Sequence, residues 1–423
     1  MLKNLLVIVG CSLPLFSSAQ DIKEVRRITK TLCSPEFHGR GYVNRGDSIA
    51  AAFIANEFEK LGVQPIDESY FQEFTIDAVN TFPERTSIIL NDRNLEPGVH
   101  FIASPLSGGY DGMIRPKQVS WETVFDSEKF RAITNEIAKG QEFNAIELDY
   151  VNVDKDTLKM AGPLPDQLAM YFPVVKRVNE KSTWYVAADQ AQFPLVEIQD
   201  SVYRSESRFK LQLDAYQFKG YPSQNVIARI PGKKKCKKTI VFSAHYDHLG
   251  RFGEDNYFPG ANDNASGTAM LISMAKYFMA NPPKYNTLFI AFAGEEAGLL
   301  GSKYYVEHPF FPLKDIRFLV NLDIMGSGEE GITAVNATLH KKEFKKLQKL
   351  NAKYDLLTVV KPRGPAANSD HYWFTNRNVP AFFIYTMGPN KHYHDVFDTY
   401  EELSFSEYED ITELLVRFVS KLR

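Results

Sequence analysis

From Ser223 onward the chain alternates short apolar runs with helical stretches, and each run gives way to a cluster of titratable residues. Four runs carry the pattern: Thr239 to Phe242, Thr287 to Phe292, Phe318 to Leu322 and Ala381 to Tyr385. They are rich in Ile, Val, Leu and Phe, as strands covered on both faces require. Helical spacing recurs over Thr268 to Ala280, Leu300 to Val306, Leu339 to Tyr354 and Glu407 to Leu422, and Ser406 with Glu409 makes a capping-box pattern for the last. This order predicts an α/β fold with a mixed, largely parallel central sheet flanked by helices.

Ligands of open α/β sheets bind outside the carboxyl ends of the strands. There the first run breaks into Ser243-Ala244-His245-Tyr246-Asp247-His248, the second into Gly294-Glu295-Glu296 and the third into Asn321-Leu322-Asp323. The fourth is followed by His392-Tyr393-His394-Asp395. Asp263 adds a further acid in the loop Pro259 to Gly267, which opens a helix. Five candidate ligands thus converge: two His, two Asp and one Glu. That set supplies two metal sites of three protein ligands each only if one carboxylate bridges. Zinc accepts both imidazole nitrogen and carboxylate oxygen, and a close metal pair suits amide hydrolysis. Of Glu295 and Glu296, one then ligates metal and the other is free to take a proton. Asp247, two residues after His245 on a strand, faces the same side and is expected to receive the second imidazole N–H.

A single His-x-Asp pair is usually a satisfied structural pair, so the recurrence at several strand ends carries the metal reading. His248, His371 and His392 read as solvent-facing or pocket-rim residues. His38, in Pro35-Glu36-Phe37-His38-Gly39-Arg40-Gly41, reads as structural.

Before Ser223 the pattern is more varied. Residues 21 to 62 are helical in spacing, with Asp47 as a cap for Ser48 onward and Gly62 as a stop. Ser87 to Leu90 reads as a strand ending in an Asn-Asp turn. Between Glu96 and about Tyr216, the segments Asn144 to Glu147, Thr183 to Ala187 and Phe209 to Leu213 read as strands of an inserted, mostly β subdomain. The expected division is therefore a leader over 1–19, the N-terminal part of a catalytic domain over 20–95, the insertion over 96–216 and the main catalytic domain over 217–423.

Composition narrows the chemistry. A net charge of -3 with 24% charged residues leaves no basic footprint for nucleic acid. Three cysteines without a CxxC pair exclude a disulfide framework and a thiolate zinc site. Residues 1–19 place Lys3 before an apolar run from Leu5 to Phe16 and end in small residues at Ala19, the pattern of a secretory signal peptide. The run is shorter than the roughly 20 residues a membrane span needs. The expected location is secreted or periplasmic. An alternative takes Cys11 as a lipoprotein anchor. Cys33 and Cys236 then remain to pair or to stay free.

The motifs His245-Tyr246-Asp247, Pro259 to Gly267, Gly294 to Ser302, Asn321-Leu322-Asp323, Ser369-Asp370-His371 and His394 with Asp398-Thr399 resemble the secreted co-catalytic di-zinc exopeptidases. That family includes bacterial leucyl aminopeptidases, with glutaminyl cyclases, glutamate carboxypeptidase and transferrin-receptor ectodomains as relatives. The resemblance covers about Asn225 to Arg423. It implies a phosphorylase/hydrolase-like fold, peptide substrates and two zinc ions. One zinc would be held by His245 and Asp323, the other by Glu296 and His394, with Asp263 bridging and Glu295 as general base. It also implies a cis peptide bond between Asp263 and Asn264, and an insertion of protease-associated type. Where the simplest members place an oxyanion-donating Tyr, this chain has Ala366, which leaves Tyr372, Tyr385 and Tyr393 as alternatives. Aminopeptidase activity is expected. A carboxypeptidase with Arg363 or Arg377 as a carboxylate clamp, a glutaminyl cyclase and a non-catalytic binding ectodomain are the alternatives.

Overall fold

In the computed structural model the described residues are 22–233 and 237–422. The leader 1–19 with Cys11, and Cys236, lie outside them; Cys33 is a buried free thiol.

The four apolar runs form the strands Thr239–His245, Asn286–Phe292, Ile316–Asp323 and Ala381–Thr386. They pair in parallel, in the order Asn286–Phe292, Thr239–His245, Ile316–Asp323, Ala381–Thr386. Side chains alternate between two cores because successive residues of a strand face opposite sides. Ile240, Phe242 and Ala244 join one core, with the helices Gly46–Lys60, Gly267–Ala280 and Tyr408–Ser420, while Val241 joins the other with Tyr305 and Phe374. Antiparallel strands complete the sheet. The long strand Tyr216–Ile230 pairs with both Asn286–Phe292 and Phe71–Thr81, and Ile332–Val335 pairs with Ala381–Thr386. The short strands Ile332–Val335 and Val360–Pro362 were not expected from the sequence.

The insertion holds two further sheets. One joins Phe101–Ala103, Leu195–Gln199, Val174–Val178, Ala145–Asp149 and Pro116–Gln118; the other joins Arg93–Leu95, Thr86–Leu90, Phe209–Leu213 and Tyr110–Ile114. The chain thus leaves the central sheet after Thr81, before Glu96, and it adds helices such as Ser127–Ala138 to the strands. Leu249, Phe252 and Phe258, which follow His248, pack into the same core as Ile88, Phe101 and Leu211. The loop that follows His248 therefore rests on these two smaller sheets.

Three local expectations are corrected. Thr183 to Ala187 joins no ladder: Trp184 N–H donates to His394 O, and Ala187 O accepts from Asn80 N–H, so these backbone groups are used between lobes instead. Asp47 lies inside the helix Gly46–Lys60, and its carboxylate accepts from Tyr221 Oη at 2.6 Å and Ser223 Oγ at 2.9 Å. The Ser406–Glu409 capping box does not form. The last helix starts at Tyr408 without a side-chain cap, because burial of Phe405 and Tyr408 sets where it begins.

Candidate metal centre

His245 and Asp323 are the last residues of adjacent parallel strands, so their side chains emerge together at the carboxyl edge of the sheet. Asp263 comes from the helical turn Ala261–Ser266 that leads into Gly267–Ala280, and the Asp263–Asn264 bond is cis. Glu295 and Glu296 follow the strand Asn286–Phe292, and His394 follows Ala381–Thr386.

Asp263 divides its carboxylate between the two imidazoles. Oδ1 lies 3.3 Å from His245 Nε2, and Oδ2 lies 3.2 Å from His394 Nε2. Each imidazole nitrogen meets a second carboxylate: Asp323 Oδ1 is 3.4 Å from His245 Nε2, and Glu296 Oε2 is 3.2 Å from His394 Nε2. The five predicted ligands therefore form two three-membered sets sharing Asp263. The Glu295 carboxylate lies within 4.8 Å of ligand atoms of His245 and Glu296 and joins neither set.

The remaining ring nitrogens face backbone. His245 Nδ1 is 3.1 Å from Asp247 O, and His394 Nδ1 is 2.8 Å from Trp184 O. A carbonyl only accepts, so each Nδ1 donates, and in the neutral, metal-binding form of the ring the lone pair then sits on Nε2, turned into the site. Asp247 thus meets His245 through its carbonyl, with its carboxylate oxygen farther away at 3.8 Å from Nδ1. That carboxylate instead accepts the N–H groups of Glu295 at 3.1 Å and Glu296 at 3.3 Å, holding the turn that carries both glutamates.

Several supports were not legible in the sequence. His248 is fully buried, not solvent-facing, and its Nδ1 lies 2.8 Å from Glu296 Oε1. Gly260, at φ 56°, passes so close that a Cβ there would lie 2.3 Å from His248 Cδ2. Asp398 accepts the N–H groups of Asn262 and Asp263, both at 2.9 Å. Arg40, completely buried, donates to the carbonyls of Tyr246, Pro259 and Gly260 and so braces the same loop from below. Ser369 donates to Asp323 Oδ2 at 3.2 Å, which gives the Ser-Asp-His motif a structural purpose. His371 is buried beside Phe383, whereas His392 is partly exposed near Asp395. His38 accepts from Arg251 Nη1 at 3.0 Å.

The donor set fits a pair of divalent cations. Asp323 Oδ1 is buried and has no hydrogen-bond partner, an orphan whose cost a cation removes. Acids also outnumber bases. Burial pushes Glu295 well up, with Glu296, Asp370 and Asp323 adding to it against the pull of His245. Burial likewise pushes Asp247 up to about 8. Against the cost of burial, His245 and His394 hold Asp263 well below the usual carboxylate range. His394, despite burial, is raised to about 11 by Glu296 and Asp263. The oxygen- and nitrogen-only ligands match zinc chemistry.

A cavity of about 250 Å³ opens beside this centre. His245, Asp263, Glu295, Asp323 and His394 line it together with Arg363, Tyr385 and Tyr393, the last stacked on His394. Of the expected alternatives, Tyr385 and Tyr393 line the cavity. Tyr372 packs instead on Trp373, and Arg377 caps the helix His371–Asn376, so neither reaches it.

Residues 225–419 match the sequence pattern described as Peptidase family M28. The chain is 38% identical over 115 residues to aminopeptidase YwaD of Bacillus subtilis, covering 27% of this chain and 24% of that protein. It is 25% identical over 346 residues to a probable leucine aminopeptidase of Trichophyton verrucosum, covering 73% of this chain and 89% of the relative. Its fold is similar to that of a zinc aminopeptidase from Bacillus subtilis, with a TM-score of 0.66 at 19% identity over 94% of each chain.

Proposed function

We propose that this chain, which belongs to peptidase family M28 through residues 225–419, is a zinc-dependent aminopeptidase that removes N-terminal residues from peptides with a two-zinc centre and Glu295 as general base. The observation that carries this reading is the divided carboxylate of Asp263, with one oxygen toward each of two His–carboxylate sets. His245 and Asp323 would hold one ion, His394 and Glu296 the other, and Asp263 both. When bound, zinc supplies Lewis-acid polarisation of the scissile carbonyl and acidifies water.

The protein's own groups supply the rest. Glu295, outside both ligand sets and raised by its enclosure, takes the proton of the attacking water and returns it to the leaving amine. Asp247 fixes the backbone of both glutamates, so base and ligand keep a constant separation. His248 and Ser369 orient the oxygens of Glu296 and Asp323 that face away from the imidazoles. Export through the leader 1–19 belongs to the same reading, since the pattern there is that of a secretory signal.

Metal analysis with an E295Q variant tests the proposal. The expected result is about two zinc ions per chain in both proteins, with hydrolysis of peptide amides reduced by a factor of a thousand or more in E295Q, on the order of the removal of a general base with its polar support. Unchanged activity in E295Q would remove Glu295 from the mechanism, and a chain that takes up no zinc at neutral pH would defeat the reading.

A further inference from the structure

Besides the proposed ligands, the cavity is lined by Arg363, Asn368, Phe383, Tyr385 and Tyr393. Arg363 is the only permanently cationic side chain among the described residues lining the cavity. Its position is fixed from the sheet: it directly follows the strand Val360–Pro362, and its backbone N–H donates to Ala334 O at 2.9 Å. Its side chain is exposed and leans on one neighbour. Nη1 donates to Tyr385 Oη at 3.2 Å, and the guanidinium sits 6.0 Å from the centroid of the same ring. No carboxylate among the described residues is recorded in an ion pair with it, although Asp263, Glu295 and Asp323 line the same cavity.

A guanidinium carries five N–H donors in a rigid fork that matches a carboxylate. Here one donates to a neutral phenol, and the exposed guanidinium borders the same cavity as Asn368 and the proposed metal ligands. Elsewhere Arg85 holds Asp111 and Asp214, and Arg27 holds Glu24 and Glu57, while Arg26, Arg115 and Arg204 donate to backbone carbonyls; none of these five lines the metal cavity. A cation kept unpaired at the mouth of an acidic centre has a separate use. It offsets the repulsion that an anionic substrate would otherwise meet, and it gives that substrate a bidentate anchor.

We infer that Arg363, steadied by Tyr385, selects substrates that bring a carboxylate into the metal cavity. This rests on the reading of the centre as a peptidase site and names its substrate class. The carboxylate has two sources, an acidic side chain on the residue being removed or the free α-carboxylate of a very short peptide. Both present the same planar anion to the fork.

The test measures kcat/KM of the zinc-loaded full chain on two matched pairs: Glu-p-nitroanilide against Gln-p-nitroanilide, and Leu-Leu against Leu-Leu-amide. In one pair the acid is expected to be preferred by about tenfold or more, the scale of one charge-assisted anchor. R363M is expected to bring that ratio close to one, and R363K to keep part of it because a point charge replaces the fork. Collapse of the first ratio identifies the side-chain carboxylate; collapse of the second identifies the α-carboxylate. If neutral substrates are cleaved but both ratios are near one, or if R363M leaves the preferred ratio intact, the inference is overturned and the peptidase reading stands. If the folded, zinc-loaded chain cleaves none of the four, the peptidase reading falls and takes the inference with it.

Discussion

Trp184 and His394 are tied twice through the main chain and the imidazole: Trp184 N–H donates to His394 O at 2.9 Å, and His394 Nδ1 donates to Trp184 O at 2.8 Å. The insertion thereby sets both the backbone and the tautomer of a proposed ligand from the other lobe. The indole itself is held by a stack on Phe258, with centroids 4.6 Å apart, and by Nε1 donating to Ala103 O at 2.8 Å. Deleting this ring is predicted to loosen the ligand as well as the core. W184A should lose about 3 to 5 kcal/mol of stability in urea unfolding. It should also weaken zinc retention in a chelator competition, with one of the two ions released before the other. Equal loss of both ions would show that the tie does not act through His394.

Arg40 gives a second prediction. Its guanidinium is buried without a carboxylate partner and donates to five carbonyls, those of Tyr246, Leu32, Pro259 and Gly260 at 2.7 to 3.0 Å and that of Asp263 at 3.4 Å. Burial lowers its pKa, but an arginine keeps its charge and all its donors. R40M fills the volume and leaves those carbonyls without donors, so a loss of at least about 3 kcal/mol is expected. R40K should recover only part, because three donors cannot reach five diverging acceptors. Comparison of the three proteins by denaturant unfolding, with zinc content measured alongside, separates loss of fold from loss of the loop that carries Asp263. A fully stable R40M would mean that water replaces the guanidinium.

The parts of this protein that could be read from its sequence are those where one local pattern has one structural outcome. Unbroken apolar runs such as Thr287 to Phe292 become buried parallel strands, and the residues at their ends must lie at the same edge of the sheet. His245, Asp323 and the two glutamates were legible for that reason. The supports were not, because their partners are remote in sequence. Arg40 reaches Gly260 and Trp184 reaches His394, and nothing in either local pattern encodes such a contact. The alternation in Thr183 to Ala187 misled because a half-buried extended segment has the same period whether it joins a ladder or crosses between lobes. His248 was misplaced for a related reason. Its burial depends on Gly260 leaving room for the ring, which is a property of the fold and not of the His-Tyr-Asp-His string.

A last prediction concerns pH and a histidine outside the centre. His371 begins the helix His371–Asn376, is 1% exposed and packs its ring against Phe383 at 5.2 Å. Burial pushes its pKa down from 6.5 to about 4. Above about pH 6.5 the ring is neutral in both folded and unfolded chains, and its contribution to stability is fully present. As the pH falls toward 4, the unfolded chain takes up a proton that the folded chain refuses, so stability drops. The complete effect is about 3 kcal/mol. Many carboxylates titrate over the same interval, so the informative quantity is the difference in unfolding free energy between the parent and H371N, measured at a series of pH values under one zinc concentration. That difference is expected to move in favour of H371N by about 3 kcal/mol between pH 7 and pH 4. A difference that stays constant would mean that the folded protein admits the charged ring and that His371 is not held neutral by its burial.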